Sequence, residues 1–320
     1  MTSDLFSGDA GDVTHPWRRA KRTVGEAAFS AIGLALLTGP RVDRLARKLP
    51  RRRVLVTSVY RPGSLLAGAL PQLASDRHDV TLALGAVDAA EPALAEHTVA
   101  ERLGGGKFEN LNRVLEAVRA EAAAGASGSA SAANDPTSEG SASAAARTKG
   151  VIPEGREALD FDWILAVDDD LALPPRFLDR FVALCEHFAL DVAQPAQSLR
   201  SHSAWQVTRR RPASLVRETR FVEIGPLTAF GRRAAPELLP FPELRYGWGL
   251  DLHWAALAEE RGWRLGVVDA TSVRHESATV GSAYPRTEAE AEATDFLASR
   301  PHLPASRAGE LVAVHRRVGR

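Results

Sequence analysis

A doubly wound α/β fold is predicted for this 320-residue chain, and three observations predict it. The first is the apolar, β-branched run Val54–Val59 (VLVTSV), which reads as a buried strand. The second is its sequel: a turn at Arg61-Pro62-Gly63, a helix from Ser64 to about Leu73, and a second strand at Asp79–Leu84. Strand, helix and strand at this spacing form a βα unit, which implies parallel pairing. The third is Phe161–Val167 (FDWILAV), the most apolar run of all, which leads straight into three aspartates.

The remaining elements follow in order. Residues 1–50 form an arm, polar to Pro16 and helical from there to Leu49. Within it, Val24–Thr38 is apolar but falls short of the ~20 residues a membrane span needs. It reads as a helix packed on the main domain, or as a basic membrane-surface helix that follows Arg18, Arg19, Lys21 and Arg22. One domain is expected over 51–300, carrying a disordered Ala/Gly/Ser insertion at about 121–150, and then a tail at 301–320. Pro174 and Pro175 open a helix whose stripe runs through Phe177, Phe181 and Cys185, so Cys185 is expected in the core. Strands are expected at Ala189–Pro195, Phe221–Ile224 and Leu265–Val268, with a helix from Leu252 to Arg261.

Composition excludes several functions. Forty basic and forty acidic residues cancel, leaving no net field to attract nucleic acid. A single cysteine allows neither an internal disulfide nor a cysteine-cluster zinc site. The protein is expected to be cytoplasmic, with the arm available for peripheral contact with the inner face of the membrane.

Four constellations can carry chemistry. Asp168 and Asp170, two apart on extended chain, point the same way and can share a divalent ion, with Asp169 turned aside. His275 follows the last strand and joins them only if the fold brings that loop back. Gly104-Gly105-Gly106-Lys107 opens a helix as a phosphate cradle would, although it matches neither GxxxxGK[ST] nor GxGxxG. Asn112, at the edge of that helix's apolar stripe, needs either a backbone or a ligand partner. Asp251, after Tyr246-Gly-Trp-Gly-Leu, is either an N-cap or a general base, with Trp248 as a stacking wall.

In this order the pieces resemble the GT-A glycosyltransferases, family 2 and its relatives. The resemblance rests on VLVTSVYRP (54–62), on Lys107 with Asn110-Leu111-Asn112, and on WILAVDDD (163–170) as the DXD strand. It continues through EIGPLTAFGR (223–232), GWGLDL (247–252) and VRHE (273–276). Leu250 stands where many relatives carry a glutamate, so one carboxylate of that pair is missing. The resemblance implies a GT-A-like mixed, mainly parallel sheet flanked by helices. It also implies transfer of a sugar from a UDP- or GDP-sugar donor to an unknown acceptor, with inversion. Thr57, Val59, Arg61, Lys107, Asn112, Asp168, Asp169 and Trp248 would bind the donor; Asp168, Asp170 and His275 would hold Mn²⁺ or Mg²⁺; Asp251 would be the base. A nucleotidyltransferase and a non-catalytic module of the same fold are the alternatives.

Overall fold

A computed structural model describes residues 16–36, 38–132, 159–201, 203–276 and 285–319. Its centre is β1 (Arg53–Tyr60), which pairs in parallel with β2 (Asp79–Ala86) on one side and β4 (Trp163–Asp168) on the other. Beyond β2 lies β3 (Thr98–Ala100), also parallel. On the far side of β4 come β8 (Leu227–Gly231), β6 (Val192–Gln197), β9 (Leu265–His275), β7 (Val216–Thr219) and β10 (Leu311–His315). Pairing is antiparallel at β4–β8, β8–β6, β9–β7 and β7–β10, and parallel at β6–β9. Only β7 and β8 therefore run against the other strands of this order, so the sheet is mixed and mainly parallel. The two-residue β5 (Leu171–Ala172) pairs with β9 outside the main order.

Helices cover both faces. α4 (Lys107–Ala132), α7 (Leu250–Arg261) and α8 (Arg286–Ala298) share one core with Leu55, Ile164 and Phe230. On the other face α2 (Thr38–Lys48), α3 (Leu66–Leu73) and α5 (Phe177–His187) pack on Val54, Val56 and Leu165. Phe177 and Phe181 stack at 5.2 Å between centroids, both fully buried. Replacing such a phenylalanine by alanine removes roughly 3–5 kcal/mol. Cys185 lies in the same core, and burial pushes its thiol pKa well up, which suits a packing residue rather than a nucleophile.

Three expectations need correction. The low-complexity segment does not begin as a loop: α4 continues through it to Ala132, because alanine favours helix most strongly. The rest of that segment, 133–150, lies outside the described residues. Phe221–Ile224 forms no strand although Phe221, Val222 and Glu223 are buried; it crosses between β7 and β8, which are not neighbours in the sheet. The expected tail holds β10, an edge strand on β7. Residues 16–48 form α1 (Pro16–Ala35) and α2, and α2 docks through buried Val42 and Ala46. Between them, Asp43 accepts from Arg180 Nε at 2.6 Å and pairs with Arg176 at 2.8 Å.

Candidate active site

From β1 the chain winds outward to β2 and β3, then returns to place β4 on the opposite side of β1. The crevice beyond the carboxyl ends of β1 and β4 is the topological switch point, where open α/β sheets bind ligands. Val59 is the register partner of Asp168, so the three aspartates leave the sheet at this crevice.

Three residues past Asp168, β5 pairs with the end of β9, Leu171 opposite His275 and Ala172 opposite Arg274. That short antiparallel pair brings the histidine back to the aspartates. His275 Nε2 lies 3.1 Å from Asp170 Oδ1, and ligand atoms of Asp168, Asp170 and His275 fall within 4.8 Å of one another. The backbone of His275 is fixed as well, its N–H donating to Ser201 Oγ at 3.0 Å. Burial works to lower the His275 pKa, but Asp170 and Asp168 outweigh it and hold the imidazole above its ordinary value.

Lys107 is the first residue of α4, and its Nζ lies 2.5 Å from Asp168 Oδ1. Glu109 steadies this start by accepting from Gly106 N–H at 2.5 Å. Gly225 borders the same pair: a Cβ there would stand 3.4 Å from both Asp168 Oδ2 and Lys107 Nζ. Any side chain at Gly225 would narrow the approach to the carboxylate, a role the sequence did not disclose.

Asp169 does turn aside, toward the β1–α3 connection. Its Oδ2 accepts from Arg61 N–H at 2.9 Å, its Oδ1 lies 3.3 Å from Arg61 Nη2, and its carbonyl accepts from Leu65 N–H. Asp169 and Arg61 therefore shape the crevice wall. Thr57 and Val59 share the face of β1 that α4 covers; Thr57 is buried and its Oγ1 has no hydrogen-bond partner among the described residues. Asn112, at the edge of the α4 stripe, takes a backbone partner. Its amide bridges the backbone of Phe241, donating to the carbonyl and accepting from the N–H, both at 2.8 Å.

Asp251 is not the N-cap. Gly249, at φ +91°, occupies the cap, and Asp251 lies inside the first turn of α7, buried. Burial pushes its pKa up to about 7, against hydrogen bonds from the main chain of Leu252 and Ile224. Glu223, which sequence reasoning did not single out, is its buried electrostatic neighbour. Its Oε2 accepts from Gln197 Nε2 at 2.8 Å and from Thr208 Oγ1 at 3.2 Å. Burial first, and then the charge of Asp251, raise Glu223 to about 8.

The loop carrying Trp248 is pinned from α8. One carboxylate, Glu292, accepts from the N–H groups of Arg245, Tyr246 and Gly247 at 2.7–2.9 Å. Gly247 is required twice over, by its φ of +76° and by the Phe108 ring that would collide with a Cβ. Trp248 is half-buried with the Arg286 guanidinium 5.7 Å from its ring centre.

No family model matches the chain, and no curated protein does either. Among solved structures it is similar to the mannosyltransferase PcManGT from Pyrobaculum calidifontis, in complex with GDP-Man and Mn²⁺. The TM-score is 0.43 and the identity 15%, over 89% of this chain and 79% of that one. So distant a likeness assigns no residue a role.

Two carboxylates and one imidazole form a donor set that suits a divalent cation. The carboxylates suit hard Mg²⁺ or Mn²⁺, while an imidazole nitrogen shifts the preference toward a transition metal. A cavity of about 390 Å³ lies elsewhere, at the opposite end of β4, lined by Arg52, Asp162, Glu186, Asp191, Arg232 and Arg233. Its charges are matched among themselves, as Arg52–Glu186 at 3.0 Å and Arg233–Asp191 at 3.1 Å. It offers no unbalanced field to a charged ligand.

Proposed function

We propose that this chain is a metal-dependent glycosyltransferase acting on a nucleoside-diphosphate sugar. The observation that carries the reading is the convergence of Asp168, Asp170 and His275 at the switch point, with Lys107 beside them. These three side chains would hold Mn²⁺ or Mg²⁺, whose chemistry is to neutralise the charge that builds on a leaving diphosphate.

The chain's own groups supply the rest. Lys107 neutralises Asp168 and, once a diphosphate enters, turns to its oxygens as a point charge. Asp169, through Arg61, fixes the turn that walls the crevice on the β1 side. Trp248, on a loop held by Glu292, offers a ring face to the sugar or the acceptor. Asp251 takes the proton of an acceptor hydroxyl as that oxygen attacks the anomeric carbon. The bond from that carbon to the diphosphate oxygen breaks, and the sugar is transferred with inversion. A carboxylate with a pKa near 7 is a far better base at neutral pH than an ordinary aspartate. Glu223, kept protonated beside it, leaves the pair with a single charge.

Release of nucleoside diphosphate from a panel of UDP- and GDP-sugars, with and without Mn²⁺, tests the reading. Metal-dependent release from one donor supports it. Pyrophosphate exchange in its place would make the chain a nucleotidyltransferase, and inertness toward every donor would leave a binding module.

A further inference from the structure

Helix α1 turns its polar side inward. Glu26 accepts from Leu199 N–H at 2.8 Å and pairs with Arg210, while Ser30 Oγ lies 3.3 Å from the same guanidinium. Gly25 packs on Leu199. The outward side is apolar. At 100° per residue Trp17, Val24, Ala28, Ala31 and Ala35 fall within about 40° of one direction, with the exposed Lys21 at the edge of that sector. Ile32 and Leu34 flank them. Trp17 is 74% exposed, Val24 70% and Leu34 76%, an inversion of the usual surface helix.

The charge around this face is equally one-sided. Residues 16–48 hold eight basic and two acidic side chains, in a chain whose overall charge is zero. Both acids are spent on the domain, Glu26 on Arg210 and Asp43 on Arg176 and Arg180. Exposed Arg41, Arg44, Arg47 and Lys48 on the adjoining α2 add to the positive field. An apolar helix face rimmed by cations, with a tryptophan at its start, has the character of an interfacial helix. No single described helix is long and apolar enough to cross a membrane.

We propose that α1 seats the protein on an anionic lipid surface, its apolar face entering the headgroup boundary and the surrounding cations meeting lipid phosphates. The proposal does not depend on the sugar-transfer reading. The loop that α1 grips, from Ser198 to Ser201, also bonds the backbone of Val273 and His275, so the seated helix lies next to the strand end that carries the histidine.

The test is co-sedimentation of the full chain with phosphatidylcholine vesicles, alone or containing about one-third phosphatidylglycerol. Binding at least tenfold stronger to the anionic vesicles is expected. The double variant Val24→Asp, Leu34→Asp should lose about tenfold or more of that binding, with its melting temperature within about 2 °C of the parent. Arg41→Glu with Arg44→Glu should erase the anionic preference without touching the apolar face. Equal partitioning of the parent and the Asp double variant would overturn the proposal. So would self-association of the parent that the Asp double variant abolishes in the absence of vesicle binding, since the face would then join two copies.

Discussion

Leu171 and His275 stand opposite each other on the antiparallel pair β5–β9, and this contact brings the histidine within 3.1 Å of Asp170. Two residues of pairing thus turn a run of aspartates and a distant histidine into one cluster. Leu171 is fully packed, so Leu171→Asp should loosen the β5–β9 pair while leaving β4 in place. Mn²⁺ affinity should fall about tenfold or more, as expected when a residue orienting the ligands is lost. Mn²⁺ electron paramagnetic resonance checks it; affinity unchanged in the folded variant would remove β5 from the account.

The buried pair Asp251 and Glu223 sets a pH dependence of stability. Both pKa values are raised on folding, from 3.8 to about 7 and from 4.5 to about 8. The folded state therefore keeps protons that the unfolded chain has released. Stability conferred by these groups is full below about pH 4, falls as pH rises toward 8, and is level above that. Glu223→Gln should flatten the upper part of this decline, from about pH 5 to 8. Chemical denaturation across that range checks it; a parent stability that rises over the interval would contradict the pair's raised pKa values.

Asp251 makes a second, kinetic prediction. As the base it must be ionised, so turnover should climb with pH through about 7 and level off above. Asp251→Asn should lower turnover by roughly 10²–10⁴-fold, because an amide cannot take the acceptor's proton. Donor affinity, measured alongside, should stay within about threefold. Near-normal turnover in the variant would retire Asp251 and reopen a retaining mechanism.

Asn112 now predicts a stability effect in place of a donor effect. Asn112→Ala leaves the N–H and carbonyl of Phe241 without the amide that bridges them. About 1–3 kcal/mol should be lost for those unmet groups, and melting should fall by roughly 3–8 °C. Donor affinity should hold. A tenfold loss of donor binding at unchanged stability would return Asn112 to the site.

The strands nearest the crevice were legible because burial on both faces writes itself as an unbroken apolar run, as in VLVTSV and WILAV. The aspartates were legible because a strand's end is where such charges can be tolerated. What escaped notice was set by partners remote in sequence. Glu223 became a buried acid only because Gln197, Thr208 and Asp251 surround it. Glu292 reads as one more exposed glutamate on an alanine-rich helix until three amides of the 245–247 loop converge on it. Phe221 and Val222 carry a strand's composition, yet their segment bonds to side chains, as Glu223 N–H does to Gln194, and no ladder forms. The edge strand β10 is half exposed and follows two prolines and a glycine, so neither periodicity nor composition marked it.

The central claim is that Asp168, Asp170 and His275 bind a donor diphosphate through a divalent cation. Titration calorimetry of UDP- and GDP-sugars into the full chain, with and without Mn²⁺, tests it when run beside Asp170→Ala. The parent should bind one donor at least tenfold more tightly with the ion, since a shared cation supplies most of the diphosphate's counter-charge. Asp170→Ala should abolish that gain, His275→Ala should reduce it by less, and both should melt within about 3 °C of the parent. A metal-dependent gain that survives intact in Asp170→Ala would contradict the account.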